Sequence, residues 1–350
     1  MVFRSKAPLR IGLAGGGTDV SPYSDLYGGA ILNVTISLYA RATLQWIDEP
    51  VIHIEALDRN ESERLPLQEA LPINGKLDLV KGVYNRLKRE GKLPNTGMRI
   101  STEVDAPAGS GLGTSSTLMV AILGAFAEAC KLPLGEYDLA HLAYEIERKD
   151  LGLAGGKQDQ YAATFGGVNF MEFYGDDKVI VNPLRVKSEY LDELENNLLL
   201  YYSSTSRESA RIIEVQQKNV QEKNARSIEA MHQLKEQAQQ MKEALLRGRL
   251  DAIGEILDYG FQQKKKMAEG ISNPWLEEIY EAARKAGASG GKISGAGGGG
   301  FMMLFAEPHN HESVKKTLAG YLHVPFHFEP SGSQIVHYDP EQDYSDLDNA

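Results

Sequence analysis

Between Pro107 and Thr117 the chain reads Pro-Ala-Gly-Ser-Gly-Leu-Gly-Thr-Ser-Ser-Thr, with glycine at every second position (Gly109, Gly111, Gly113) and then a block of hydroxyls. Glycine admits positive φ and lets the backbone come close to a ligand. The apolar run 118–130 that follows is long enough for a helix, and a helix N-terminus carries unpaired N–H groups and partial positive charge. Glycines, free amides, hydroxyls and a helix start together make an anion site, most often for phosphate. The plainer alternative is a Gly/Ser turn that caps a buried helix.

Two further glycine-rich stretches fail as nucleotide motifs of other folds. Gly295-Ala-Gly-Gly-Gly-Gly300 matches the dinucleotide pattern G-x-G-x-x-G, but an apolar strand follows where that fingerprint needs a helix. Gly291-Lys292 ends like a Walker A loop, yet Ile293 replaces the Ser/Thr and Ala286 the first glycine. A Rossmann dehydrogenase and a P-loop enzyme are both unsupported. The histidine pairs His309/His311 and His323/His327 lack a Cys or carboxylate to complete a tetrahedral metal set.

The elements that must position these residues follow from periodicity. Residues 10–13, 30–36, 39–47 and 51–57 read as strands, with Ala14-Gly-Gly-Gly-Thr-Asp19 between the first two. Leu79, Val83 and Leu87 mark a helix over 79–89, stopped by Gly91 and Pro94. Residues 98–104 alternate and lead into the glycine loop. Past Pro133 a helix is predicted over 136–149, with Leu139, Leu142, Ala143 and Ile146 on its apolar face. A loop bearing Gly152, Gly155 and Gly156 precedes Lys157-Gln-Asp-Gln-Tyr161, and 168–173 reads as a strand. The texture changes near Asn182-Pro183, dividing the chain into domains 1–183 and 184–350.

In the second domain 198–202 is a strand, and Ser203–Ser206 opens one long polar helix to about Arg247, packed on its own domain rather than in a coiled coil. Helices over 250–267 and 274–286 precede a glycine-rich loop, 287–300, and the strand 301–305. Lys264-Lys-Lys266 reads as a solvated helix face, and the acidic tail beyond Tyr338 as loose.

A length of 350 residues suggests two domains, and 42% hydrophobic with 24% charged residues is ordinary for a soluble globular protein. A net charge of −11 argues against duplex nucleic acid or anionic membrane as a partner, so phosphate would be held by local amides, a few placed cations and metal. The N-terminus has no apolar leader, and no run approaches the ~18 apolar residues of a membrane span. The single Cys130 excludes an intrachain disulfide, fits a reducing compartment and reads as a small buried residue. A cytoplasmic protein is expected.

Taken in order, Ala7-Pro-Leu-Arg10 with Gly15–Asp19, the loop Pro107–Ser116, the stretch Glu147…Asp159 and Lys292–Gly300 resemble the GHMP kinase family over nearly the whole chain. Pro107–Ser116 is similar to the motif P-x-x-x-G-L-G-S-S, with Thr114 and Ser115 as the hydroxyl pair. The resemblance implies a two-domain α+β fold, a ribosomal S5 domain 2-like N-terminal domain and a ferredoxin-like C-terminal domain, with ATP and substrate in the cleft. It assigns ATP to Pro107, Gly109, Ser110, Gly111, Leu112, Gly113, Thr114, Ser115 and Ser116, and magnesium to Ser115 and Glu147. It makes Asp159 the catalytic aspartate and Arg10 its cationic partner. Gly17, Thr18 and Asp19 would hold the sugar, with Gly297 and Gly298 beside the transferred phosphate. A homodimer is left open.

The chemistry accords with those roles. A carboxylate of pKa near ~4 cannot strip a sugar hydroxyl beforehand, because each unit of mismatch costs about 1.4 kcal/mol. Asp159 would instead orient the hydroxyl and accept its proton late, as charge moves onto the phosphoryl group, with Arg10 stabilising the developing charge. A carboxylate such as Asp19 accepts hydrogen bonds from two vicinal hydroxyls.

Residues 10–19, Tyr27-Gly-Gly-Ala-Ile-Leu-Asn33 and Gly156-Lys-Gln-Asp-Gln-Tyr-Ala-Ala163 are most similar to the branch acting on the anomeric oxygen of heptose 7-phosphate, with an L-fucokinase- or galactokinase-like sugar-1-kinase second. A phosphorylated sugar needs a second anion site. Arg207, after Ser203–Ser206 and within the capping box Thr205-x-x-Glu208, and Lys157 are the candidates. A non-catalytic sugar or nucleotide sensor on the same fold is the alternative, against which the complete set Arg10, Ser115, Glu147 and Asp159 speaks.

Overall fold

The structure, a computed structural model, describes residues 1–204 and 209–339. Its first half runs β1 (Val2–Ala14), α1 (Tyr23–Tyr27), β2 (Gly29–Ile47), β3 (Val51–Ala56), β4 (Glu61–Pro66), α2 (Asp78–Arg89) and β5 (Gly97–Val104). It continues with α3 (Thr114–Ala129), α4 (Glu136–Tyr144), α5 (Gln158–Phe165), β6 (Val168–Phe173) and β7 (Val179–Pro183). The strand β2 organises this half. It pairs with β1 along most of its length, while Gly29–Val34 also pairs with β6 and Ala40–Ile47 with β5. The stretches expected as two strands, 30–36 and 39–47, are therefore one. Beyond β5 lie β3, in parallel, and β4; β7 extends the sheet from β6.

A register shift between Pro8 and Arg10 gives β1 its use. Proline has no N–H to donate and is tolerated where the ladder is interrupted. Ala7 belongs to the core under α3, whereas Leu9, Ile11 and Leu13 face the opposite core. The bulge thus switches faces and frees the Arg10 N–H, which donates to the Leu112 carbonyl at 3.2 Å. The helix α3 is apolar almost all round, as a helix buried on every side must be, with β1 and β2 beneath it and α2, α4 and α5 around it.

The second half carries α6 (Ser188–Asn197), β8 (Leu198–Ser204), α7 (Ser209–Gln221), α8 (Ala225–Leu246), α9 (Ile253–Lys264) and α10 (Pro274–Lys285). It ends with β9 (Gly290–Ile293), β10 (Gly300–Phe305), α11 (His311–Thr317), β11 (Leu322–His323) and β12 (Gln334–Asp339). Its sheet has the order β11-β8-β10-β9, all antiparallel. The helix α8 lies across β1 and β2, so Leu9, Ile11 and Leu32 share one core with Leu200, Met241, Leu257 and Met303. The last strand, β12, crosses back and pairs with β1 at the edge of the first sheet.

Two further expectations need correction. The single long helix is broken: Lys223 takes φ 56°, and Asn224 caps α8 by accepting from the Ser227 N–H at 3.1 Å. The apolar period runs on across the break because Val220, Met231 and Leu234 pack into one cluster. The stretch 287–300 is not all loop either. Gly290–Ile293 is the strand β9, and a Cβ on Gly290 would stand 1.8 Å from the Gly254 carbonyl oxygen, so glycine here marks a close backbone approach. The acidic tail beyond residue 339 lies outside the described residues. Among those described, no helix is long and apolar enough to cross a membrane.

Candidate active site

The glycine loop uses its glycines as the sequence suggests: Gly109, Gly111 and Gly113 take φ of 75°, 83° and 79°. The first bond inside α3 runs from the Thr117 N–H to the Gly113 carbonyl, so the amides of Thr114, Ser115 and Ser116 have no partner within the helix. A Cβ on Gly111 would lie 2.3 Å from the Ser294 carbonyl oxygen, so the two glycine loops touch backbone to backbone. Between them, β1, α5 and α7 opens a cavity of about 350 Å³.

Arg10 and Asp159 meet in its wall. Arg10 Nε donates to Asp159 Oδ1 at 2.8 Å, Nη2 stands 2.7 Å from the same oxygen, and Nη1 donates to the Gly111 carbonyl at 2.6 Å. The second oxygen, Oδ2, has no partner among the described residues and lies 3.3 Å from where a Cβ of Gly113 would be. One carboxylate oxygen is thus fixed by the guanidinium and the other faces the phosphate loop. Asp19 also lines the cavity, buried, and accepts the Gln158 N–H at 3.0 Å. Burial raises its pKa, against the opposing pull of that hydrogen bond and of Arg10.

Ser115 and Glu147 are brought together. Ser115 Oγ donates to Glu147 Oε1 at 2.7 Å, and Gln160 Nε2 donates to Oε2 at 2.7 Å. The helix predicted over 136–149 widens after Tyr144 into a π turn, Glu145–Asp150, closed by the Leu151 N–H on the Ile146 carbonyl at 2.9 Å. Arg148, which sequence reasoning passed over, stands 3.3 Å from Glu147 Oε1 and donates to Ser116 Oγ at 3.1 Å. A hydroxyl and a buried carboxylate beside the phosphate loop are hard oxygen donors that fit magnesium, which takes one or two protein oxygens and completes its shell from phosphates and water.

Other expected site residues stand elsewhere. The Thr18 hydroxyl is taken up by backbone, 2.8 Å from the Gly15 carbonyl and 3.0 Å from that of Ala30, and does not reach the cavity. Gly17 lines the cavity, its carbonyl accepting from Gln216 Nε2 at 2.7 Å. Gly297 and Gly298 are corrected: the Gly298 N–H donates to the Ile271 carbonyl at 2.9 Å, and Gly295 and Ala296 line the cavity instead. Lys157 is corrected too, for its ammonium is buried against Asp25 at 3.0 Å and Asp177 at 3.2 Å, leaving nothing for a phosphate. In the glycine loop Leu112 is a core residue, and Ser110 and Pro107 shape the turn through a Ser110 N–H to Pro107 carbonyl bond of 3.1 Å. Arg207 and the capping box Thr205–Glu208 lie outside the described residues.

The residues missed are lysines. Lys264, read as solvated, is buried at the end of α9; its ammonium lines the cavity and donates to the Gly295 carbonyl. Lys292, in β9, is buried opposite it and donates to the Gly12 carbonyl at 2.7 Å. Burial, with Arg10 nearby, lowers the Lys264 pKa to about 8, and burial with Lys264 and Arg10 holds that of Lys292 well below its ordinary value. A second cavity of about 310 Å³ meets the first at Gly109, Thr114 and Ser115, walled by Leu77, Val80, Val104, Leu118 and Ile122.

Comparison with known proteins agrees with this geometry. Residues 78–167 match the family described as GHMP kinases N terminal domain, and residues 241–322 that described as GHMP kinases C terminal. The chain belongs to the GHMP kinase family, with the two-domain fold of that family. Within it, a D-glycero-alpha-D-manno-heptose 7-phosphate kinase of Campylobacter jejuni is 47% identical over 90% of this chain and 92% of its own. The crystal structure of a D-glycero-D-manno-heptose 1-phosphate kinase from Bacteroides thetaiotaomicron is 45% identical, covers 97% of this chain and 100% of its own, and superposes with a TM-score of 0.81. A Lactococcus lactis galactokinase complexed with galactose, 18% identical over 95% of each chain, shares the fold with a TM-score of 0.75. The protein is an ATP-dependent sugar kinase.

Proposed function

We propose that the protein transfers the γ-phosphoryl group of ATP to the anomeric oxygen of D-glycero-D-manno-heptose 7-phosphate, giving the 1,7-bisphosphate. The observation that carries this reading is the Arg10–Asp159 pair: Oδ1 is held by the guanidinium while Oδ2 remains open toward the phosphate loop. A sugar hydroxyl on Oδ2 would be aimed at a phosphoryl group cradled by the amides of 114–116, and would pass its proton to Asp159 as the new O–P bond forms. Arg10 offsets the charge that develops there. Asp19 would hold ring hydroxyls, and the apolar second cavity suits the base of the nucleotide. Ser115 and Glu147 would hold magnesium, which supplies neutralisation of the phosphate oxygens when bound.

The two heptose kinases named above differ in where their substrates carry phosphate. Phosphorus NMR of the product formed from heptose 7-phosphate, with galactose and L-fucose as controls, tests the reading. A new anomeric phosphate on heptose 7-phosphate alone is expected. Turnover of fucose or galactose in preference, or of heptose 1-phosphate instead, would replace the proposed substrate, and no ADP release with any sugar would favour a non-catalytic sensor.

A further inference from the structure

Two buried lysines line the cavity without a paired carboxylate among the described residues. Among the described residues no carboxylate forms an ion pair with Lys264 or Lys292, whose hydrogen bonds go to the backbone carbonyls of Gly295 and Gly12. Arg10 is already matched by Asp159, and the nearby Asp19 spends one oxygen on the Gln158 N–H. Burying an unpaired charge is costly and shifts the group toward neutrality, so a bound anion would be strongly favoured beside the two lysines. The two lysines come from separate elements, α9 and β9, yet converge on one point. A Cβ built on Gly16 would lie 3.7 Å from Lys292 Nζ and 3.8 Å from Lys264 Nζ. That glycine is not in the left-handed region, so its missing side chain serves space rather than backbone conformation.

We infer that Lys264 and Lys292, with the bare backbone of Gly16 between them, seat the phosphate that the acceptor sugar already carries. This rests on the sugar-kinase reading above and names the part of the cavity that would choose a phosphorylated acceptor. A phosphate monoester brings about −1.5 to −2 charges at neutral pH, enough to match both ammoniums. In the proposed reaction the transferred phosphoryl group would lie at the amides of 114–116 beside Asp159 Oδ2, while the lysine pair bonds the carbonyls of Gly12 and Gly295 next to Gly16. Asp19 lines the cavity with them and would take ring hydroxyls. Gln158 Oε1, buried with no partner among the described residues and 4.0 Å from where a Cβ of Gly12 would be, is a further acceptor for ring hydroxyls. Lys157, committed to Asp25 and Asp177, cannot take this role.

The test compares heptose 7-phosphate with unphosphorylated heptose as acceptors, for wild type and for Lys264→Met, Lys292→Met and Gly16→Ala. Each lysine variant should raise KM for the phosphorylated sugar about 10- to 100-fold, the scale of one hydrogen bond to a charged group, and by far more than it changes KM for ATP or for free heptose. Gly16→Ala meets only ordinary contacts in the empty protein, so it should fold and still show the same selective loss by occupying the seat. Equal losses with both sugars, or an unchanged KM, would overturn the inference. So would a wild type that handles free heptose as well as the phosphorylated one, although the kinase reading would then stand. A wild type that releases no ADP with any sugar removes the kinase reading, and this inference with it.

Discussion

Asp159 carries the sharpest expectation at the scale of single residues. Asp159→Asn keeps shape but gives up the proton acceptor, so kcat should fall at least ~10²-fold while ATP binding, measured by titration calorimetry, persists. Turnover near wild type would exclude Asp159 as base. Lys264 sets a pH limit. Its pKa in the empty site is about 8, held down by burial and Arg10, with Lys292 also close by and Asp19 pulling the other way. Above that value the empty site loses the proton a phosphate needs, so KM for the phosphorylated sugar should climb past pH 8 while KM for ATP stays flat. A pH-independent KM between 6.5 and 9.5 (about 1.5 units either side of the midpoint) would contradict it. Arg10, Asp159, Ser115 and Glu147 were legible because their motifs carry them. Lys264 was hidden by its neighbours: three consecutive lysines read as solvent-facing, yet Ile253, Leu257, Phe261 and Lys264 share one buried stripe of α9. Lys265 and Lys266 turn outward, to Glu277 and Gln263. The helical spacing was in the sequence, but a charge at its end did not read as buried.

The elements were read well in type and less well in extent. The glycine loop, α3 and β5 stand where periodicity put them, because hydrophobic pattern and turn residues agree there. The π turn that aims Glu147 leaves no mark in composition, for a helix widened by one residue keeps its apolar face nearly unchanged. The break between α7 and α8 did leave one, the capping residue Asn224, which the continuing apolar period concealed. Asn224→Ala should cost about 1 kcal/mol in urea-induced unfolding, as the loss of an N-cap does. In an unbroken helix the same change would stabilise, since alanine is the better helix former. Kinetic constants should not move in either case.

The two halves form one molecule through the core between β1, β2, α8 and the second sheet. Period-two patterning in β1 tells which side chains bury, but not that their partners come from residues two hundred positions away, so this contact was invisible in the sequence. Leu200, fully buried in that core, tests it. Leu200→Ala should cost about 2–5 kcal/mol and shift a single calorimetric transition, rather than split the melt into two. Two separate transitions in the wild type would show halves that fold independently.

The pairing of Val2 with Asp339 has a consequence for how the chain is made. In chain order β1 is made long before β12, so its outer edge waits uncovered, and an uncovered edge is a template for pairing with a neighbouring copy. A chain cut after Ser333 keeps every catalytic group named above yet should clump during expression, visible as light scattering and loss of monodisperse protein. A soluble, fully active truncation would show that the waiting edge is harmless.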